Sequence, residues 1–297
     1  MNISEVDLEN ADNPDRALIA GWMRQHLFAW EARDPLTISG TLHPEVDFRL
    51  PTVYGVGHGQ ALATLGLWLA QWQTLRLYLR RLLIDVEQWA AAVEWVCRYT
   101  QPGQVGCQEL LGGTVLDFDR AGLVRRWRTY LDPVRRRTLS DLNAPWPDEG
   151  WSPSSSPGPS PTPALIEQII HAYAQAWSSH SQTQLNAVIH DEICLQPPWD
   201  YQVGRAALAA GAQVYFDNYT DTLVTPRRLI LDPAQPYCGI CEQTFACTNP
   251  DTGRRGEDHD FAFFEIAQGK LRYWRTYFDT TRSVQVVEKT IGALRRQ

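Results

Sequence analysis

A chain of 297 residues exceeds the roughly 100 to 200 residues of a typical domain, so two cores are expected rather than one. Hydrophobic residues make up 44% of it and 12 are Trp, a composition that excludes a disordered chain. The formal charge of −7 is spread evenly, with 15 basic and 19 acidic residues in positions 1–150 and 12 and 15 in positions 151–297, so neither half carries the basic excess that nucleic-acid binding needs.

The first stretch, MNISEVDLENADNPDR, is acidic and lacks the basic segment and apolar run of a secretory signal. Even the window LGLWLAQWQTLRLYLRRLL is broken by Gln and Arg at helical spacing, so no membrane span is expected. Six cysteines, at 97, 107, 194, 238, 241 and 247, fit reduced thiols in the cytoplasm better than a disulfide framework.

Along residues 16–33, apolar groups at 19, 22, 23, 26 and 30 form one stripe and predict an amphipathic helix. A short helix is expected through ISGTLHPE, then a brief strand VDFRLP, then a helix opened near Gly59 and running through ALATLGLWLAQW. The pattern then changes to long β-rich runs, RLYLRRLLIDVEQ, AAAVEWVCRYTQ, QELLGGTVLDFD and LVRRWRTYLD, separated by Gly, Pro and Asp turns. Helices first and antiparallel strands after predict an α+β layer fold.

The segment DEGWSPSSSPGPSPTP, residues 148–163, is a Pro/Ser-rich linker that cannot form a core. It separates a first domain, 1–147, from a second, 164–297, and the second repeats the first. WRTYLD begins at Trp127 and WRTYFD at Trp274, an offset of 274 − 127 = 147. At that offset Ile19, Trp22, Met23, His26 and Trp30 fall on Ile166, Ile169, Ile170, Tyr173 and Trp177, LHPEV falls on IHDEI, and Pro51 on Pro198. Gly59 is matched to Gly204 at an offset of 145, which implies a two-residue deletion.

Helix, short helix, strand ending in Pro, Gly-led helix and long strands, the last written GLVRRWRTYLD and GKLRYWRTYFD, resembles the nuclear transport factor 2-like superfamily. Its SnoaL-like branch, with ketosteroid isomerases, polyketide cyclases and limonene epoxide hydrolases, is the most similar. The resemblance implies two tandem cones, each a curved sheet wrapped around about three helices with an apolar pocket. His26, Trp30, Trp127 and Thr129 would line the first pocket and Trp177, Gln196, Trp274 and Thr276 the second.

Strand alternation puts Trp127, Thr129 and Leu131 on the pocket side and Arg128, Tyr130 and Asp132 on the other. By similarity, Thr129 and Thr276 stand where the epoxide hydrolases carry a carboxylate, and a threonine is no proton acceptor at neutral pH. WVCRYT and CEQTFACT also lack those enzymes' Arg-x-Asp pair. The ketosteroid isomerase base falls on Leu50 and Pro197, neither of which moves a proton. Their oxyanion pair falls on Tyr173 and Asp260 in the second half, as candidate catalytic residues, and on His26 and Thr114 in the first. A tyrosine on a helix stripe also serves as plain core, so both readings stand here.

His43 and His190 fall where a short helix gives way to a strand and read as caps. Cys238 and Cys241 spell CGIC, but further zinc ligands are wanting and no metal is expected. YGVGHGQ lacks the long preceding strand of a phosphate loop. No cofactor is implied.

Two functions follow. One is a small-molecule pocket protein, an isomerase, cyclase or hydro-lyase acting on a cyclic or polyketide-like carbonyl compound. The other is a non-catalytic scaffold that binds a ligand or a protein on the same fold. Because members of the superfamily pair through their outer sheet faces, the fused chain is expected to be a monomer that imitates a homodimer, with Arg128, Tyr130, Asp132 and their counterparts in the joint.

Overall fold

The computed structural model describes residues 13–50, 53–132, 137–142, 157–196, 201–250 and 252–278. Pro51, Pro197, Pro198, Asp279 and the linker stretch 148–156 lie outside them. The chain divides into two compact units, residues 1–147 and 148–297.

Unit 1 runs α1 (Pro14–Glu31), α2 (Pro35–Gly40), β1 (Leu42–Leu50), β2 (Val53–Val56) and α3 (His58–Leu69). Four long strands follow, β3 (Thr74–Asp85), β4 (Ala90–Thr100), β5 (Cys107–Phe118) and β6 (Val124–Leu131), with a short β7 (Arg137–Leu139). Among the described residues unit 2 has the same order, and the stretch that would correspond to β7 lies outside them. It runs α4 (Pro163–Ser178), α5 (Gln182–Val188), β8 (Ile189–Gln196), β9 (Gln202–Val203), α6 (Arg205–Asn218), β10 (Leu223–Leu231), β11 (Cys238–Thr248), β12 (Arg255–Ala267) and β13 (Lys270–Phe278). The α+β class is as the sequence predicts.

The helix starts follow from local chemistry. Asn13, Asp34 and Thr162 each stand before a proline and accept backbone N–H groups of the first turn, so α1, α2 and α4 begin on a side-chain cap with Pro where no N–H is needed. Helices α3 and α6 start on glycines with positive φ, Gly57 at 95° and Gly204 at 86°. Gly57 N–H donates to Val46 O at 2.8 Å and Gly204 N–H to Ile193 O at 2.7 Å. Gly204 therefore corresponds to Gly57, not Gly59, and the offset stays at 204 − 57 = 147 without a deletion. The sequence match to Gly59 was misled by three spaced glycines, Gly55, Gly57 and Gly59, of which backbone geometry selects the middle one.

In unit 1, β3, β4, β5 and β6 pair antiparallel in that order, β1 runs parallel to β6, and β2 pairs antiparallel with β1. Unit 2 repeats this with β10, β11, β12 and β13 antiparallel, β8 parallel to β13 and β9 on β8. The short helix expected through ISGTLHPE ends at Gly40, because Thr41 O accepts Val124 N–H at 2.8 Å and draws the next residues onto the sheet as β1. His43 and His190 are consequently strand residues and cap no helix. Each ring instead accepts a backbone N–H two residues on, from Glu45 and Glu192, both at 3.1 Å.

The inner face of each sheet packs on its own helices. Ile19, Met23, Leu27 and Trp30 of α1 meet Leu110, Leu116, Trp127 and Leu131 in unit 1, and Ile166, Ile170 and Tyr173 of α4 meet Cys241, Ala262, Phe264 and Trp274 in unit 2. Each such buried side chain contributes roughly 1.5–3 kcal/mol. On the outer face, Arg128 Nη1 donates to Asp47 O at 2.9 Å and the guanidinium pairs with the Asp47 carboxylate, which holds this arginine within its own unit.

Candidate functional site

Alternation along the strands of unit 2 sorts the chemistry. Ala262 and Phe264 of β12 belong to the core, so Asp260 and Asp258 share their inner face. Cys241 of β11 belongs to the core too, which places Gln243 on the same face, directly opposite Asp260. Thr276 stands opposite Ala262, and Phe278 opposite Asp260. A polar patch thus sits on a face that is otherwise apolar and aromatic.

Asp260 is 2% exposed and Gln243 6%. Gln243 Nε2 donates to Asp260 Oδ2 at 3.4 Å, while Asp260 Oδ1 and Gln243 Oε1 are buried without a partner. Burial pushes the Asp260 carboxyl well above the ordinary carboxylate range, the charge of Asp258 adds to the push, and the Gln243 amide opposes it. Neutral Asp260 has an O–H to donate and Gln243 an oxygen to accept.

Tyr173 lies on the inner stripe of α4, 4.6 Å from the Trp274 ring by centroids. Burial raises its phenol above the usual value, and the Trp177 indole beside it opposes the rise. Trp177 Nε1 is nonetheless buried without a hydrogen-bond partner of normal geometry. Tyr173 and Asp260 share the interior but no hydrogen bond joins them, and the charge of each is felt at or from Cys241. They are neighbours across Cys241 rather than a bonded pair. Trp177 completes the wall, packed edge-on to Tyr215 and Phe216.

Gln196, expected on the pocket wall, is on the opposite face. Its neighbours Ile193 and Leu195 take the inner positions, so its amide accepts from Tyr273 Oη at 3.3 Å and donates to Cys194 Sγ at 3.4 Å. Cys238 and Cys241 both lie on β11, three positions apart and so on opposite faces, and no metal-holding group of three or more His, Cys, Asp or Glu occurs among the described residues.

The register also corrects which residues correspond between units. Trp127 pairs with Leu116, Thr129 with Thr114 and Trp95 with Gly112, whereas Trp274 pairs with Phe264, Thr276 with Ala262 and Gln243 with Asp260. The counterpart of Asp260 is therefore Gly112, not Thr114, which matches Ala262. In unit 1 the Trp95 indole lies over Gly112 and donates to Thr114 Oγ1 at 2.9 Å. The remaining polar groups there are satisfied among themselves. Trp30 Nε1 donates to His26 Nε2 at 3.2 Å and His26 Nδ1 meets Thr41 Oγ1 at 3.0 Å. Burial lowers His26 to about 3, which keeps it neutral. His26, Trp30, Trp127 and Thr129 face the interior as expected, but within a packed core.

The doubled phrase has a local cause that alternation alone did not reveal. Trp127 Nε1 donates to Thr129 Oγ1 at 3.0 Å and Trp274 Nε1 to Thr276 Oγ1 at 3.1 Å, so the threonine of each WRT satisfies the buried indole two residues before it. A surface cleft on α1, lined by Arg24, Gln25, Phe28 and Thr37 among others, contains none of these residues.

No family model and no curated protein matches the chain. Solved structures do. Those similar to it are nuclear transport factor 2-like proteins. A structure titled TsrD from Streptomyces laurentii matches at a TM-score of 0.38 and 17% identity over 45% of this chain and 98% of its own. A limonene epoxide hydrolase-like enzyme of M. tuberculosis matches at 0.37 and 15%, over 45% and 98%. A SnoaL-like polyketide cyclase from Jannaschia sp. CCS1 matches at 0.37 and 12%, over 46% and 99%. Each alignment spans less than half of this chain, and none of these identities carries a residue's role across. No helix among the described residues is long and apolar enough to cross a membrane.

Proposed function

We propose that unit 2 binds a cyclic, carbonyl-bearing small molecule on its inner face, with the neutral carboxylic acid of Asp260 donating a hydrogen bond to the carbonyl oxygen. The observation that carries this is the buried, unpartnered Asp260 Oδ1 on an aromatic-walled face. An orphaned buried donor costs roughly 1–3 kcal/mol, a penalty that a bound oxygen relieves. Polarising a carbonyl acidifies the adjacent carbon, which is the entry to isomerase, cyclase and hydro-lyase chemistry. Moving that proton also needs a base, and the unit 2 position that matches the isomerase base is Pro197, a residue with no proton-accepting side chain.

That apolar base position favours a second reading, in which the same pocket holds its ligand without turning it over. Mass spectrometry of small molecules released from the purified chain tests the shared premise. A carbonyl compound retained by Asp260→Asn, which keeps a neutral donor, and lost from Asp260→Leu supports it; an identical profile from both variants defeats it. Deuterium uptake at the ligand's α-carbon in heavy water then separates turnover from binding.

A further inference from the structure

Each unit closes one strand edge with a helix side chain, at the same place. Among the described residues β3 pairs with β4 alone and β10 with β11 alone, so each strand has a second side on which backbone groups need partners. The last residue of the unit's first helix stands against that side. Glu31, which ends α1, accepts the Leu77 N–H on Oε1 at 3.1 Å, and Ser178, which ends α4, accepts the Val224 N–H on Oγ at 2.9 Å. Both residues of the bond keep the offset of the repeat, 178 − 31 = 147 and 224 − 77 = 147. The Ser178 hydroxyl gives its own proton to Ala174 O at 2.9 Å, which leaves its lone pairs for the strand. A carboxylate in one unit and a hydroxyl in the other have only the acceptor in common, and that is what the repeat retains.

We propose that Glu31 and Ser178 are edge guards, which deny β3 and β10 to an added strand, and that the strand they exclude is the same edge of a second copy of this chain. An added strand must bond to the edge N–H and C=O groups in sequence, and a helix residue seated on one of them interrupts the run. An identical edge is the complement at hand, because two antiparallel copies offer each other the same alternation of donors and acceptors. The two edges differ in how much rests on the guard. Along each strand every second N–H points to the same side, so Leu79 follows Leu77 there and Pro226 follows Val224. Proline has no N–H to give, and within a sheet it is tolerated on just such an outer side. The β10 edge is thus closed twice, by Ser178 and by Pro226, whereas the β3 edge keeps the Leu79 N–H and depends on Glu31.

The test compares the full chain with Glu31→Ala, Glu31→Gln, Ser178→Ala and the double variant Ser178→Ala/Pro226→Val, by hydrogen exchange at the lowest usable concentration and by sedimentation velocity over a concentration series. Glu31→Ala should speed exchange of the Leu77 amide about tenfold, the loss of one hydrogen bond, and should self-associate over a range in which the parent's sedimentation does not change. Glu31→Gln keeps an acceptor and should match the parent in both measurements. Ser178→Ala should speed exchange at Val224 without added association, because Pro226 still interrupts the edge; the double variant should associate. If Glu31→Ala does not fold, the β10 variants decide. Glu31→Ala sedimenting as the parent does, or Glu31→Gln associating as strongly as Glu31→Ala, overturns the guard at β3. Association of Ser178→Ala alone overturns the part given to Pro226, and a double variant that sediments as the parent does overturns the guard at β10.

Discussion

The Trp95 indole lies over Gly112 with no room for a side chain between them, its Cη2 and Cζ2 standing 2.5 and 2.6 Å from where a Cβ would be. Gly112→Ala must therefore displace a ring held on the other side by its bond to Thr114. Overpacking of this kind costs about 1–3 kcal/mol, and chemical denaturation of the variant should show a loss in that range. Trp95→Leu in the same chain should recover only part of it, because Tyr130 O also stands 2.6 Å from the added Cβ; a Gly112→Ala variant as stable as the parent would show that both the indole and that strand give way freely.

Asp260 sets the sign of a pH effect in unit 2. Its carboxyl is raised in the folded chain, whereas the unfolded chain titrates near the ordinary value of about 3.9. Between the two values the folded state holds a proton that the unfolded state has released, so this group's contribution to stability falls as pH rises from about 4 toward the raised pKa and is flat beyond it. Asp260→Asn removes the slope. Wild type and variant should therefore diverge in favour of the variant as pH is raised from 4 to neutrality, a comparison that thermal melts at matched ionic strength can make. Parallel curves would mean an ionised Asp260 in the folded chain.

Gly57 and Gly204 open α3 and α6 with φ of 95° and 86° and ψ near 150°, a region open in practice only to glycine. Space is not the obstacle, since the nearest atoms to an added Cβ are 3.7 and 3.8 Å away. Gly57→Ala and Gly204→Ala should each cost about 1–3 kcal/mol through backbone strain alone. Gly59→Ala lies inside α3 with open space around its Cβ and should be neutral or mildly stabilising, by up to about 1 kcal/mol. The two outcomes together test the corrected register.

The fold was legible because periodicity is a local property. The stripe at 19, 23, 26 and 30 and the alternation of WRTYLD survive any tertiary arrangement, and both appear where expected. The cap pairs Asn13-Pro14, Asp34-Pro35 and Thr162-Pro163 were equally readable and would have placed the helix starts correctly. Strand correspondence was not legible, because the offset of 147 drifts between elements: Trp127 and Trp274 keep it, yet Thr114 matches Ala262 at 148. Only the ladder shows that a one-residue change in the β5–β6 turn has occurred, and with it that Gly112 stands for Asp260. Gln196 failed for another reason: the resemblance placed it on the pocket wall, whereas alternation from Ile193 and Leu195, which pack inward, puts it on the outer face opposite Arg275.

His26 supplies the opposite sign from Asp260. Buried between Thr41 and Trp30, it is held neutral, with its pKa lowered to about 3 in the folded chain against about 6.5 unfolded. Thr41 Oγ1 donates to Ile38 O at 2.7 Å, so its free capacity is to accept, which assigns the proton to Nδ1 and the lone pair facing Trp30 to Nε2. A second proton would have to sit on Nε2, against the indole N–H. As pH falls below 6.5 the unfolded chain takes up a proton that the folded chain refuses, and stability is lost until about pH 3. At pH 5 the loss is about 2 kcal/mol, from a gap of some 1.5 units at about 1.36 kcal/mol each. His26→Gln keeps one donor and one acceptor but does not titrate. Urea unfolding of both proteins at pH 7.5 and pH 5.0 should show the wild-type chain losing about 2 kcal/mol more than the variant, with the other six histidines cancelling in the difference. Equal losses would mean that the folded interior admits the imidazolium, and burial could not then be what holds the ring neutral.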